Sequence, residues 1–72
     1  MDINKAMQLC FQKYISVYPV AFGSNFKIEF REGKNKPVQY QKIIPQGIKA
    51  RKDVYSAIQK TYIFLAKKIL KE

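Results

Sequence analysis

The positive charge of this chain is concentrated between Phe26 and Lys52, where eight of its fourteen Lys and Arg residues lie with only two acids, Glu29 and Glu32. This segment therefore carries +6 of the chain's net charge of +9. Lys and Arg side chains bind phosphate, and charge of one sign repels itself unless a partner supplies the other sign. The pattern predicts contact with the backbone of nucleic acid, either DNA or RNA. The predicted contacts are Lys27, Arg31, Lys34, Lys36, Gln39, Gln41, Lys42, Lys49, Arg51 and Lys52.

Alternation along residues 26–31 assigns these side chains to two faces of a strand. If Phe26, Ile28 and Phe30 face the core, Lys27 and its neighbours at every second position face outward. We expect Gln39, Gln41 and Lys42 to join that outer face from the next strand, where glutamine amides could read adenine edges in a major groove. The loop lysines and the cluster at residues 49–52 would hold the flanking phosphates. The alternative is that the charges form an ordinary solvated face.

Aromatic side chains suggest a second mode of binding, in which Tyr40 or Tyr18 stacks on unpaired bases. A stacking platform needs exposed rings on the sheet, whereas the alternation predicts charges there. We therefore expect most of the aromatic residues, Tyr40 among them, to lie in the core.

The residue types required for most catalysis and metal binding are scarce. The chain has no His and a single Cys, Cys10, so it cannot form an intrachain disulfide or the usual zinc, haem or iron-sulfur ligand sets. Cys10 lies among apolar residues at helical spacing, which predicts a buried structural thiol and suits a reducing cytoplasm. Without His, no acid-base pair stands out. We expect a protein that is not an enzyme and has no metal or cofactor.

Helical spacing of apolar residues predicts two helices. After Asp2, a favourable N-cap, apolar residues recur every three or four positions, so we expect a helix over residues 2–18 that ends before Pro19. Residues 51–71 contain no Gly or Pro, and an apolar stripe predicts a long second helix there. No stretch approaches the about 20 apolar residues that a membrane span requires, and we expect a cytoplasmic protein.

Two extended segments lie between these helices, at residues 26–31 and 38–44, and a change of phase near Lys42 indicates a bulge or a strand end. Residues 46–50 are compatible with a short third strand or with the start of the last helix. We therefore predict a single α+β domain over residues 1–72, in the order α-β-β-(β)-α. Its antiparallel hairpin or three-stranded sheet would carry both helices on one face.

Ile63 and Leu70 interrupt the polar side of the predicted last helix, seven residues apart. Two apolar residues in register on a basic face could form a self-complementary seam, so a homodimer interface is one expectation. The other expectation is that the helix is tilted, so that this side is buried within the same chain. The alternative function is a protein-interaction module, such as a phage-type inhibitor or accessory subunit that binds an acidic protein or itself. Heavy use of Lys and Ile is compatible with a phage or mobile element.

The layout of helix, hairpin and helix, with Lys49, Arg51 and Lys52 opening the last helix, resembles a shortened double-stranded RNA-binding domain. That resemblance implies that these three residues span phosphates. Residues 26–66 also resemble the hairpin-plus-helix arm-binding domains of phage and transposon integrases, which insert a sheet into the major groove.

Overall fold

A computed structural model describes residues 1–47 and 49–71, which form two helices and a three-stranded antiparallel sheet. The elements in chain order are α1 (Ile3–Gln12), β1 (Ser16–Phe22), β2 (Asn25–Arg31), β3 (Val38–Pro45) and α2 (Ala50–Lys71). The strand order in the sheet is β1-β2-β3, so that β2 is central. The predicted α+β class and its helix-first, helix-last order are confirmed.

The first helix is shorter than predicted, because it ends at Gln12 and not before Pro19. Tyr14 adopts a left-handed conformation with a φ of 59°. The N–H of Tyr14 donates to the carbonyl of Phe11, and that of Ile15 donates to Cys10 across 2.9 Å. These bonds form a Schellman C-cap, a motif that usually places Gly at the left-handed position. A tyrosine there gives no sequence signal for the helix end.

The third strand exists, but it lies before the predicted hairpin and not at residues 46–50. The segment that follows α1, Ser16–Phe22, is β1 and pairs with β2 along its whole length. Pro19 does not disrupt the sheet because β1 is an edge strand, where a missing N–H is tolerated. Gly23, with a φ of 59°, opens the tight turn into β2. Of the predicted alternative at residues 46–50, Ala50 begins α2 and Ile48 lies outside the described residues.

The core lies between one face of the sheet and the two helices. Ile28 is fully buried on the central strand, and Leu65 of α2 is 1% exposed. Helix α1 contributes Ala6 and Cys10, both fully buried, and these small side chains let it lie close to α2. Burial raises the pKa of the Cys10 thiol. In the described part of the chain, no helix is both long enough and apolar enough to cross a membrane.

Candidate nucleic-acid interface

The strand register assigns every sheet residue to one of two faces. Directly paired residues in an antiparallel sheet share a face. The face that carries Ile28 and Phe30 packs on the helices, and we call it the covered face. We call the other one the open face. Its residues are Ser16, Tyr18, Val20 and Phe22 of β1; Asn25, Lys27, Glu29 and Arg31 of β2; and Val38, Tyr40, Ile43 and Pro45 of β3.

A β-bulge at Gln41 determines which β3 side chains reach the open face. Ile28 pairs with Lys42, whereas the next residue, Glu29, pairs with Tyr40, so Gln41 is the extra residue. This confirms the predicted irregularity near Lys42. Ile44 is 3% exposed, so the second half of β3 is oriented with Ile44 on the covered face. Without the bulge, Tyr40 would also point inward, and with it Tyr40 lies on the open face at 58% exposure.

The prediction that Gln39, Gln41 and Lys42 lie on the outer face of the sheet is therefore wrong. Gln39 pairs with Phe30 and Lys42 with Ile28, so both belong to the covered face, at its exposed edge. Gln41 lines a groove beside α2. The expectation that Tyr40 lies in the core is also wrong. The polar ribbon in which Gln39 and Gln41 would read bases is not formed on the open face.

Lys27 lies on the open face among partners from its own chain. Its ammonium is 3.4 Å from a Glu29 carboxylate oxygen, 4.7 Å from the Phe22 ring centroid and 5.5 Å from that of Tyr40. Its side chain is 24% exposed. Arg31, in contrast, is exposed at the end of β2. Lys27 therefore brings less free positive charge to the open face than the sequence suggests, whereas Arg31 keeps its charge exposed there.

A groove between β3 and α2 brings together basic side chains that are distant in sequence. Lys42 from the sheet edge and Lys60 from α2 both line it, and both are exposed. The Thr61 hydroxyl donates its proton to the carbonyl of Ala57 across 2.7 Å, within α2, so this proton is not directed at a ligand in the groove. We call this feature the lysine groove. Its lining residues are Gln41, Lys42, Ile44, Pro45, Asp53, Ser56, Ala57, Lys60 and Thr61.

The lysine groove continues along the outer side of α2. Lys52 and Lys67 are spaced eight and seven residues from Lys60, which places all three on the same side of a helix with about 3.6 residues per turn. All three are exposed. The sequence-based contacts omitted Lys60 and Lys67. Their helical spacing opposite the apolar stripe is the signal that could have identified them.

The remaining predicted contacts divide between the two ends of the sheet. Arg51 lines a hollow with Phe26 and Pro19 at the start of β2, near the start of α2. Lys34, on the loop at the opposite end, lines a hollow with Arg31 and Tyr14. The members of the basic segment 27–52 thus do not form one patch. Those near the start of α2 are Lys49, Arg51 and Lys52, and those at the opposite end are Lys34 and Lys36, all of them exposed.

The predicted seam on α2 is only partly open. Leu70 is 59% exposed, whereas Ile63 is half-buried and packs against the core. For Ile63, the expectation of burial within the same chain is therefore confirmed. Leu70 keeps its exposed apolar surface near the end of the helix.

Comparison with protein-family models, with curated proteins and with solved structures finds no significant match to this chain.

Proposed function

We propose that this chain binds nucleic acid, chiefly through the sugar-phosphate backbone. The observation that carries the proposal is the lysine groove, where Lys42 of the sheet edge and Lys60 of α2 line one surface. Lys52 and Lys67 extend that surface along the helix. From Lys52 to Lys67 the helix rises by about 22 Å at about 1.5 Å per residue. That length covers about six base-pair steps of about 3.4 Å along a duplex.

The distribution of carboxylates supports this assignment. Glu29 pairs with Lys27 at 3.4 Å, and Glu32 pairs with Lys68 at 2.9 Å. The Asp2 carboxylate caps α1 by accepting from the N–H of Asn4. Asp53 lines the lysine groove, in the first turn of α2 where the helix dipole favours a negative charge. The groove thus has one acid near two lysines, in a chain of net charge +9.

The start of α2 offers a further phosphate contact. Lys49, Arg51 and Lys52 are exposed around a helix N-terminus, whose backbone amides also favour anions. With β1 in place, the chain has the third strand that a helix-hairpin-helix layout alone did not supply. The resemblance to double-stranded RNA-binding domains makes duplex RNA one of the ligands to test.

The test is a titration of labelled duplex DNA, duplex RNA and single-stranded oligonucleotides at several salt concentrations, followed by fluorescence anisotropy. The wild-type affinity should fall steeply with salt, because phosphate contacts release counterions. The double variant Lys42→Glu, Lys60→Glu should bind more weakly to every nucleic acid it still binds. Its salt slope should be smaller by about 2, since each lost phosphate contact removes about 1.

The matched control is Lys5→Glu, Lys13→Glu, which changes the net charge by the same amount at a residue of α1 and at the C-cap that follows it. It should retain most of the wild-type affinity. A third variant, Lys34→Glu, Lys36→Glu, tests the sequence-based contacts in the loop at the opposite end of the sheet. If no nucleic acid binds at low salt, or if the control loses as much affinity as the groove variant, the proposed binding surface is wrong.

A second candidate function is the protein-interaction module, which the exposure of Leu70 favours. The partner would be a second copy or an acidic protein that covers this end of α2. In a homodimer through Leu70, Lys67 and Lys71 of the two copies would approach each other. Salt would therefore strengthen the homodimer, whereas it weakens nucleic-acid binding.

A further inference from the structure

The open face of the sheet has a composition that neither the charge pattern nor the lysine groove explains. Its exposed apolar side chains come from the two edge strands, and its charged side chains come from the central strand. Phe22 is 48% exposed, Tyr40 58%, Val38 44% and Ile43 38%. Four of the large apolar side chains that are exposed in this domain share this face, which makes it a candidate interaction surface.

Phe22 and Tyr40 are arranged around a single cation. The Lys27 ammonium lies within cation-π distance of both rings, at 4.7 Å and 5.5 Å from their centroids. The two centroids can therefore be separated by no more than the sum of those distances. Phe22 and Tyr40 offer exposed rings, and because Glu29 pairs with Lys27, Arg31 is the exposed cation of this face that can attract the negative groups of a ligand with flat π faces.

Charge complementarity selects among the possible occupants of this face. A second copy would bring another Arg31 toward the Arg31 of this face, where Glu29 already pairs with Lys27, in a chain of net charge +9. A single-stranded nucleic acid brings bases that stack on Phe22 and Tyr40, and phosphates that Arg31 attracts. We propose that the open face binds unpaired bases of single-stranded nucleic acid, with Tyr40 and Phe22 as the stacking residues. This inference rests on the proposed nucleic-acid binding and adds the class of ligand.

The bulge at Gln41 connects this face to the lysine groove. On one side of the bulge Tyr40 lies on the open face, and on the other side Lys42 lines the groove. A strand that crosses the exposed edge of β3 can therefore place a base on Tyr40 while its phosphates lie near Lys42. The two surfaces then act as parts of one binding site.

The experiment compares three ligands: oligothymidylate, an abasic oligomer of the same length, and duplex DNA. Tyr40→Ser and Phe22→Ser should each lower the affinity for oligothymidylate by about tenfold or more, as expected when a stacked base loses its ring. Their affinities for the abasic oligomer and for duplex DNA should remain at the wild-type level. Tyr55→Ser, which removes an aromatic side chain 67% exposed on α2, is the control and should change none of the three.

The possible results separate this inference from the proposed function. If wild type binds all three ligands and the Tyr40 and Phe22 variants bind oligothymidylate normally, stacking is overturned while backbone binding stands. If wild type binds no nucleic acid, both proposals fail. If wild type instead forms a dimer that Tyr40→Ser converts to a monomer in light scattering, the open face is a protein interface and the stacking proposal is rejected. Circular dichroism of each variant checks that it is folded.

Discussion

The hydroxyl of Tyr62 accepts a hydrogen bond from the backbone N–H of Val17 across 3.3 Å and so ties the edge strand β1 to α2. The backbone carbonyl of Tyr62 also accepts from the Cys10 thiol of α1, at 3.6 Å. The Phe11 ring packs edge-on against the Tyr62 ring, with centroids 5.9 Å apart. Tyr62, a buried residue of α2, therefore contacts both α1 and β1.

Tyr62→Phe should destabilise the protein by about 1 kcal/mol, because it leaves a buried N–H without its partner while retaining the ring. For a domain of about 60–100 residues this lowers the melting temperature by about 4–8 °C. Thermal unfolding followed by circular dichroism measures the change. Tyr55→Phe, at a tyrosine 67% exposed on the same helix, should leave the melting temperature nearly unchanged. Equal melting temperatures for wild type and Tyr62→Phe would show that this bond does not stabilise the fold.

Tyr14→Gly should stabilise the protein despite removing a large side chain. Tyr14 has a φ of 59° and is 69% exposed, so its ring contributes little burial while its backbone is strained. A left-handed conformation costs a non-Gly residue about 1–2 kcal/mol, and the greater freedom of Gly in the unfolded chain offsets about 0.5–1 kcal/mol of that gain. Urea denaturation should show a net gain of about 0.5–1 kcal/mol. Tyr14→Ala, which keeps the strain, should show no gain.

The buried Cys10 thiol should make stability fall in alkaline solution. Burial raises the pKa of the Cys10 thiol above its ordinary value of 9.0, so the unfolded chain loses this proton before the folded protein does. The free energy of unfolding is unaffected below that ordinary value and decreases as pH rises above it. Urea denaturation across this range, under reducing conditions, measures the slope. Cys10→Ala should have a shallower slope than wild type, and identical slopes would contradict the prediction.

Leu70→Asp tests association through the end of α2. If Leu70 forms a homodimer contact, wild type should be dimeric in light scattering and the variant monomeric at the same concentration. The matched control is Phe64→Asp, which alters a side chain 54% exposed on another side of α2. Wild-type association should increase with salt, for the reason given above. A dimer that Leu70→Asp leaves intact would exclude this contact.

The elements that could be predicted are those whose signal is local. The alternation in residues 26–31 and the absence of Gly and Pro in residues 51–71 give β2 and α2 nearly to the residue, as Asn25–Arg31 and Ala50–Lys71. The strand β1 was missed because its start depends on a helix end at Tyr14 that lacks the usual Gly. Pro19 then suggested a helix stop, although an edge strand accepts it. The tolerance of Pro19 depends on where β1 lies in the sheet, which no local pattern specifies.

The sequence by itself determined that this chain is basic, has a hairpin and a long final helix, and lacks the His and second Cys that the usual zinc, haem and iron-sulfur sites need. Charge, composition and the spacing of apolar residues are properties of the linear chain, so they can be determined without knowing which residues are in contact. Only the tertiary structure decided which side chains share a surface. The bulge at Gln41 switches the sheet face on which the side chains of the first half of β3 lie. Tyr40 is therefore exposed on the open face, whereas Lys42 lines the same groove as Lys60. Strand register and helix docking bring together residues distant in sequence, and no local pattern specifies them.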